Sequence, residues 1–209
     1  ALRVGNSLLA IVPKLFINPN NAKEGGEHER LARDAIRVDQ SGALYWICLA
    51  EALVKQGKTD GAFDTARRAK EIAPEVAGIL CRVGAVLAEL PETLREAETA
   101  YRKAIALEPE NSQAMRALIA LLVREASNLP EATSLAQKLC ALEPNDPRNW
   151  IALALTYRAE KGGEEEKLKA ARRAIELAPE DPGPLAVLSV LLLTMNRIDE
   201  ASEAARELF

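Results

Sequence analysis

The chain has 209 residues, 27 of them lysine or arginine against 31 aspartate or glutamate, for a net charge of −4. Its length and its 48 % apolar content allow a substantial core and exclude a wholly disordered chain. The mild negative charge excludes the electrostatic footprint of a nucleic-acid binder. Aromatic residues make up only 4 %, and Ala, Leu, Glu and Arg abound, which predicts helices packed through small residues.

Residues 1–42 read as a divergent N-terminal helix pair. Leu8, Leu9, Ile11, Val12, Leu15 and Phe16 give one apolar helix, with Pro13 as a place for a kink. Leu31, Ala32, Ala35, Ile36 and Val38 give the second, and residues 18–26 link them. The run from Leu8 to Ile17 is broken by Pro13 and Lys14 and is too short to span a bilayer; the later run from Leu185 to Leu193 is also too short. No small-residue cleavage site follows the first run, as a signal peptide requires.

From residue 43 the helices come in pairs. In the first of these pairs Leu44, Ile47, Leu49 and Leu53 follow helical spacing, and Gly57 ends the helix. Thr59 is placed to cap the next helix, whose Ala62, Ala66 and Ala69 form a small-residue stripe. Ile72 and Pro74 close the unit, because proline cannot continue a helix. Pro91 and Pro130 stand near the starts of later second helices, where a missing N–H costs little. Gly162-Gly163 and Asn196 take the helix-breaking role further on.

Pro74, Pro109, Pro144 and Pro179 are spaced 35 residues apart. The words ending on them match: Glu71-Ile72-Ala73-Pro74, Ala106-Leu107-Glu108-Pro109, Ala141-Leu142-Glu143-Pro144 and Glu176-Leu177-Ala178-Pro179. A degenerate copy, Arg37-Val38-Asp39-Gln40, precedes the first by 34 residues. A fixed period of this size is the signature of a repeat protein. The units run over residues 43–76, 77–111, 112–146, 147–181 and 182–209, the last one truncated.

The rare chemical residues build no reaction centre. His28, within Glu27-His28-Glu29-Arg30, is the only histidine; no second histidine or cysteine accompanies it as a zinc site needs, and it reads as an exposed helix residue. Cys48, Cys81 and Cys140 stand 33 and 59 residues apart, which excludes a metal knuckle or redox pair and favours buried, reduced thiols. Gly25-Gly26 and Gly162-Gly163 lack the strand and the Lys-Ser/Thr of a phosphate loop. The carboxylates are spread over helix faces, so no acid–base pair stands out. The expectation is a protein that is not an enzyme and takes no cofactor or metal.

These words resemble the tetratricopeptide-repeat family, over about residues 43–209. The second unit offers Trp46, Leu49, Ala50, Ala62, Ala69 and Pro74, and the third Leu80, Val83, Gly84, Ala97, Tyr101, Ala104 and Pro109. The fourth has Met115, Leu118, Ala132 and Pro144, and the fifth Trp150, Leu153, Ala154, Tyr157, Ala174 and Pro179. The sixth has Leu185, Leu188, Ser189 and Ala201. The resemblance implies an all-α fold, a right-handed α-solenoid of about six stacked helix-turn-helix units. Trp46 and Trp150 are then repeat-core residues and not ligand cages.

Three departures carry expectations. Units three to five are 35 residues long against the family's 34, with the extra residue in the turn between helices. Ile119 and Leu139 replace small residues, so the fourth unit should be spread wider. Lys167 stands where the fifth unit should carry its first alanine, and a local register shift is expected there.

In this family ligands lie along the concave face built from first helices. The resemblance places Ile47, Glu51, Lys55, Cys81, Ala85, Arg116, Ala120, Arg124, Arg148, Ile151, Leu155 and Arg158 there, together with Glu89. Such a groove, apolar with arginines in units four and five, suits an acidic or carboxylate-ended peptide. The Lys and Asn pattern with which co-chaperones of this family grip a carboxylate tail is missing. Ile47 and Glu51, and Arg116 and Ala120, hold those positions. The implied function is a protein–protein interaction scaffold that binds a protein or peptide segment in the groove, with no nucleic acid and no membrane insertion.

The alternative is a regulatory or partner-recruiting repeat domain of a larger bacterial enzyme or polysaccharide- or secretion-system protein. The chain begins with Ala1 and ends within a second helix, which is the expectation for a trimmed or longer product. Self-association through uncapped repeat ends is a third expectation. The thiols point to a cytoplasmic location, with the periplasm as the alternative.

Overall fold

The computed structural model describes residues 25–157 and 163–206, and these form α-helical pairs. The helix expected within residues 1–17 lies outside the described residues. The chain divides into two compact units, Ala1–Pro109 and Glu110–Phe209.

The first unit holds α1 (Gly25–Val38), α2 (Ala43–Lys55), α3 (Thr59–Ile72), α4 (Ala77–Leu87), a 3-10 turn over Pro91–Thr93 and α5 (Leu94–Leu107). Consecutive helices pack on one another, and α2 packs on α4. α1 begins at Gly25, so both glycines expected in a linking turn are helical, and His28 is half-buried on it instead of exposed. α2 has too many apolar residues for one stripe, and α1, α3 and α4 cover it from three sides. Ile47, Leu80 and Leu87 are fully buried, each contributing about 2 kcal/mol.

α2 ends on a left-handed Gly57, with φ +71°. The Lys58 N–H donates to the Leu53 carbonyl and the Gly57 N–H to the Val54 carbonyl, both at 2.9 Å. This closure consumes Lys58, so α3 starts at once. Thr59 is therefore its first residue, not its cap.

Along α3 the side chains of Ala62, Ala66 and Ala69 are wholly buried. In the next pair Gly84 meets Tyr101 so closely that a Cβ there would stand 2.6 Å from the ring. Thr93, buried in the 3-10 turn, donates its hydroxyl to the Leu87 carbonyl.

The second unit holds α6 (Ser112–Arg124), α7 (Leu129–Leu142), α8 (Pro147–Thr156), α9 (Glu164–Leu177), α10 (Pro182–Thr194) and α11 (Ile198–Arg206). First helices α6, α8 and α10 pack in sequence, and α7, α9 and α11 pair with them. Asn111, Asp146 and Asp181 cap the three first helices, each side chain accepting a backbone N–H. Met115, Leu118, Leu122 and Leu139 are at most 1 % exposed. Leu168, Leu192, Ala201 and Ala204 close the last pair.

The second helix begins 17 residues after the first in units three to five, against 16 in the second and sixth. The extra residue therefore falls between the helices, as the period predicts. The α6–α7 pair makes the sparsest backbone approach of the helix–turn–helix pairs. No register shift occurs at Lys167. It is 6 % exposed and takes the slot that Ala62, Ala97 and Ala132 fill elsewhere, and Ala171 and Ala174 stay buried behind it. A lysine fits an alanine slot when its alkyl stem lies in the packing and its ammonium leaves it.

Both tryptophans act as turn staples. The Trp46 indole donates to the Gln40 carbonyl at 2.9 Å and the Trp150 indole to the Pro144 carbonyl at 2.8 Å. The shared geometry marks Gln40 as the counterpart of Pro144. Cys48, Cys81 and Cys140 are buried and unpaired; burial raises all three thiols, Cys140 to about 11.

Candidate groove between α6 and α8

Residues 116, 120 and 124 recur every fourth position of α6 and so share one face. On α8, Arg148, Ile151 and Leu155 do the same within a residue. These two faces enclose a cleft of about 350 Å³. All six of these sequence-predicted residues line it. Ile119, Val123 and Ala152, which sequence reasoning did not place on the groove, complete the wall. Their signal was present, since each is a helical neighbour of a chosen residue. Arg158 lies outside the described residues.

The floor is apolar: Ala120 is exposed, and Ile151, Leu155 and Val123 are half-buried. The charged lining is Arg116, Arg124 and Arg148, with no carboxylate among the lining residues. The three arginines differ in what they are free to do. Arg116 is 27 % exposed and reaches the turn before α8, donating to Glu143 at 2.9 Å and to Asn149 Oδ1 at 3.0 Å. Asp146 stands 3.5 Å from the same nitrogen. The Asn149 side chain is fully buried and donates in turn to the Leu139 and Glu143 carbonyls.

The Ser112 hydroxyl, then Arg116 and Asn149, hold the Glu143 carboxyl below its ordinary range. Arg116 is thus a pin between α6 and the repeat turn. Arg148 is 71 % exposed and grips Asp146 through two nitrogens, which lowers the Asp146 carboxyl. Arg124 is 53 % exposed beside Glu125 at 3.0 Å. Exposed pairs of this kind exchange partners at little cost.

The first-unit residues expected on the same face are arranged differently. Ile47 is fully buried and Cys81 is 4 % exposed, so neither offers surface to a ligand. The reason lies between α2 and α4. Arg82 donates to both Glu51 oxygens at 2.7 Å and to Cys48 Sγ at 3.3 Å, so the protein's own side chain occupies that space. Lys55, Ala85 and Glu89 are exposed.

A larger hollow of about 700 Å³ borders α9. Trp150 and Leu168 supply its apolar part, but Glu164, Glu165 and Glu176 share it with Lys169, Arg172, Arg173 and Arg197, so its charged lining has no single sign. Among the described residues no three His, Cys, Asp or Glu side chains gather as metal ligands do, and no helix is long and apolar enough to cross a membrane.

Solved structures share this helix arrangement. A tetratricopeptide repeat protein from Parabacteroides merdae aligns with a TM-score of 0.80 and 18 % identity, over 98 % of this chain and 79 % of its own. PilW, a type IV pilus biogenesis factor, aligns at 0.79 and 16 %, over 100 % and 93 %. The fold is that of tetratricopeptide-repeat proteins. YrrB, described as such a protein with an unusual peptide-binding site, aligns at 0.63 and 20 %, over 85 % of this chain and 90 % of its own. No family model and no curated protein sequence matches the chain. The tetratricopeptide-repeat fold accounts for the all-α class and for the helix-turn-helix units of an α-solenoid.

Proposed function

We propose that the chain is a protein–protein interaction scaffold that takes a segment of a partner protein into the α6–α8 cleft. The observation that carries this reading is the lining itself: an apolar floor bordered by arginines, with no carboxylate. Apolar side chains of a segment gain from leaving water on that floor. Arg148 and Arg124 are exposed enough to trade Asp146 and Glu125 for carboxylates of the segment, which favours an acidic one. The peptide-binding description of YrrB supports the use of the fold in this way.

The test is a displayed library of random peptides panned on the protein. Binders are then measured against Leu155→Glu, which buries a charge under the segment. Binding should weaken by about tenfold or more, about 1.4 kcal/mol, with thermal unfolding little changed. A panning without binders, or binders indifferent to Leu155→Glu, ends the reading.

A further inference from the structure

α10 contains no charged residue from Pro182 to Thr194. The 35-residue register carries Ile151 onto Ala186 and Leu155 onto Val190, so the cleft face of α8 continues on α10, which packs against it. There the surface stays apolar and open: Val190 and Leu193 are each 56 % exposed. Charge varies across the same face. Arg124 and Arg148 stand on α6 and α8, and α10 has none. An exposed apolar surface joined to a cleft of this kind marks an interaction site.

We infer that the segment bound by this protein is graded, acidic at one end and apolar at the other, and that its apolar end lies on Val190 and Leu193 of α10. This rests on the cleft reading above and sets the direction of the segment. Its carboxylates meet Arg124 and Arg148 by charge complementarity. Its aliphatic or aromatic residues leave the cleft over Leu155 and cover α10. A segment acidic throughout would desolvate carboxylates against α10, which itself offers no cation to pair them.

The experiment uses the whole chain and the binders from random-peptide panning. The sequences should place Asp and Glu at one end and Leu, Ile, Val or Phe at the other. Val190→Glu with Leu193→Glu should weaken them by about tenfold or more. Peptides cut short at the apolar end should bind that variant and the wild type equally. Both positions are more than half exposed, so the variant keeps its fold, checked by thermal unfolding. Binders lost with Leu155→Glu but unmoved by the α10 variant would overturn the graded segment and leave the cleft standing. Binders indifferent to both variants would overturn both readings. A wild-type dimer in sedimentation that the α10 variant dissolves would assign this face to a second copy and overturn the inference.

Discussion

Gly57, Ala126 and Asn196 each stand just beyond the last turn of a first helix, and all three take a left-handed backbone, at φ +71°, +49° and +59°. The hydrogen bonds are the same at each: Ser127 to Leu122 and Arg197 to Leu192 repeat the Lys58 to Leu53 closure. Glycine takes this backbone freely, asparagine tolerates it, and alanine is strained in it. Two changes of opposite sign follow. Gly57→Ala should cost about 1 kcal/mol, and Ala126→Gly should gain about 0.5 kcal/mol after the added freedom of the unfolded chain is counted. Urea midpoints of the two variants measure both. A shared sign would mean that neighbouring contacts, not φ, govern this position. The sequence announces the break at Gly57 and Asn196. It says nothing at Ala126, because alanine is the usual residue of helix interiors.

At the level of helices and turns, the repeat was readable because its signal is collective. Four prolines, the alanine stripes and the aromatic positions agree on one period, and α1 to α11 follow it. What periodicity does not contain is where a long side chain goes. Lys167 keeps register in an alanine slot, and Arg82 fills the space between α2 and α4 that spacing alone assigns to a ligand. Arg116 was readable as a residue on the face of α6 that lines the cleft, but not as the pin to the next repeat turn. Its partners Glu143 and Asn149 lie 27 and 33 residues away in the chain.

The pin and the exposed arginine should separate in a stability experiment. Asn149→Ala removes two hydrogen bonds to backbone carbonyls, one of them buried, and a partner of Arg116, and should cost about 2 kcal/mol. Arg148→Ala should change stability by less than about 0.5 kcal/mol, because its ion pair is exposed. Equal effects in chemical denaturation would contradict the division of roles between Arg116 and Arg148. The cleft test accordingly uses Leu155, since a change at Arg116 disturbs the repeat turn as well as the surface.

For the molecule as a whole, the carboxyls of Asp39, Glu96, Glu143, Asp146 and Glu200 are all held below their ordinary values, and Glu29 is lowered from 4.5 to about 2. Glu29 owes this first to Lys58, whose ammonium stands 3.0 Å away, with Gln56 and Arg33 assisting. A carboxyl that ionises more readily when folded adds stability above its unfolded pKa and loses it as protons return. Stability should therefore fall between about pH 4.5 and about pH 2. Glu29→Gln should remove about 1 kcal/mol at neutral pH, after allowance for solvent around Lys58, and make the acid decline shallower. Urea midpoints across that range decide it; a midpoint that rises on acidification would show that these pairs do not stabilise the fold.

The turn staples also equip the protein with optics. Its two tryptophans fall one to each compact unit, and each indole is tied to a backbone carbonyl that moves away only when its own repeat turn opens. Intrinsic fluorescence is thus already divided between the halves of the chain. With excitation at wavelengths that tyrosine does not absorb, replacing Trp46 by Phe leaves light from the second half alone, and replacing Trp150 by Phe leaves it from the first. The melting of each half can be followed separately, without a label.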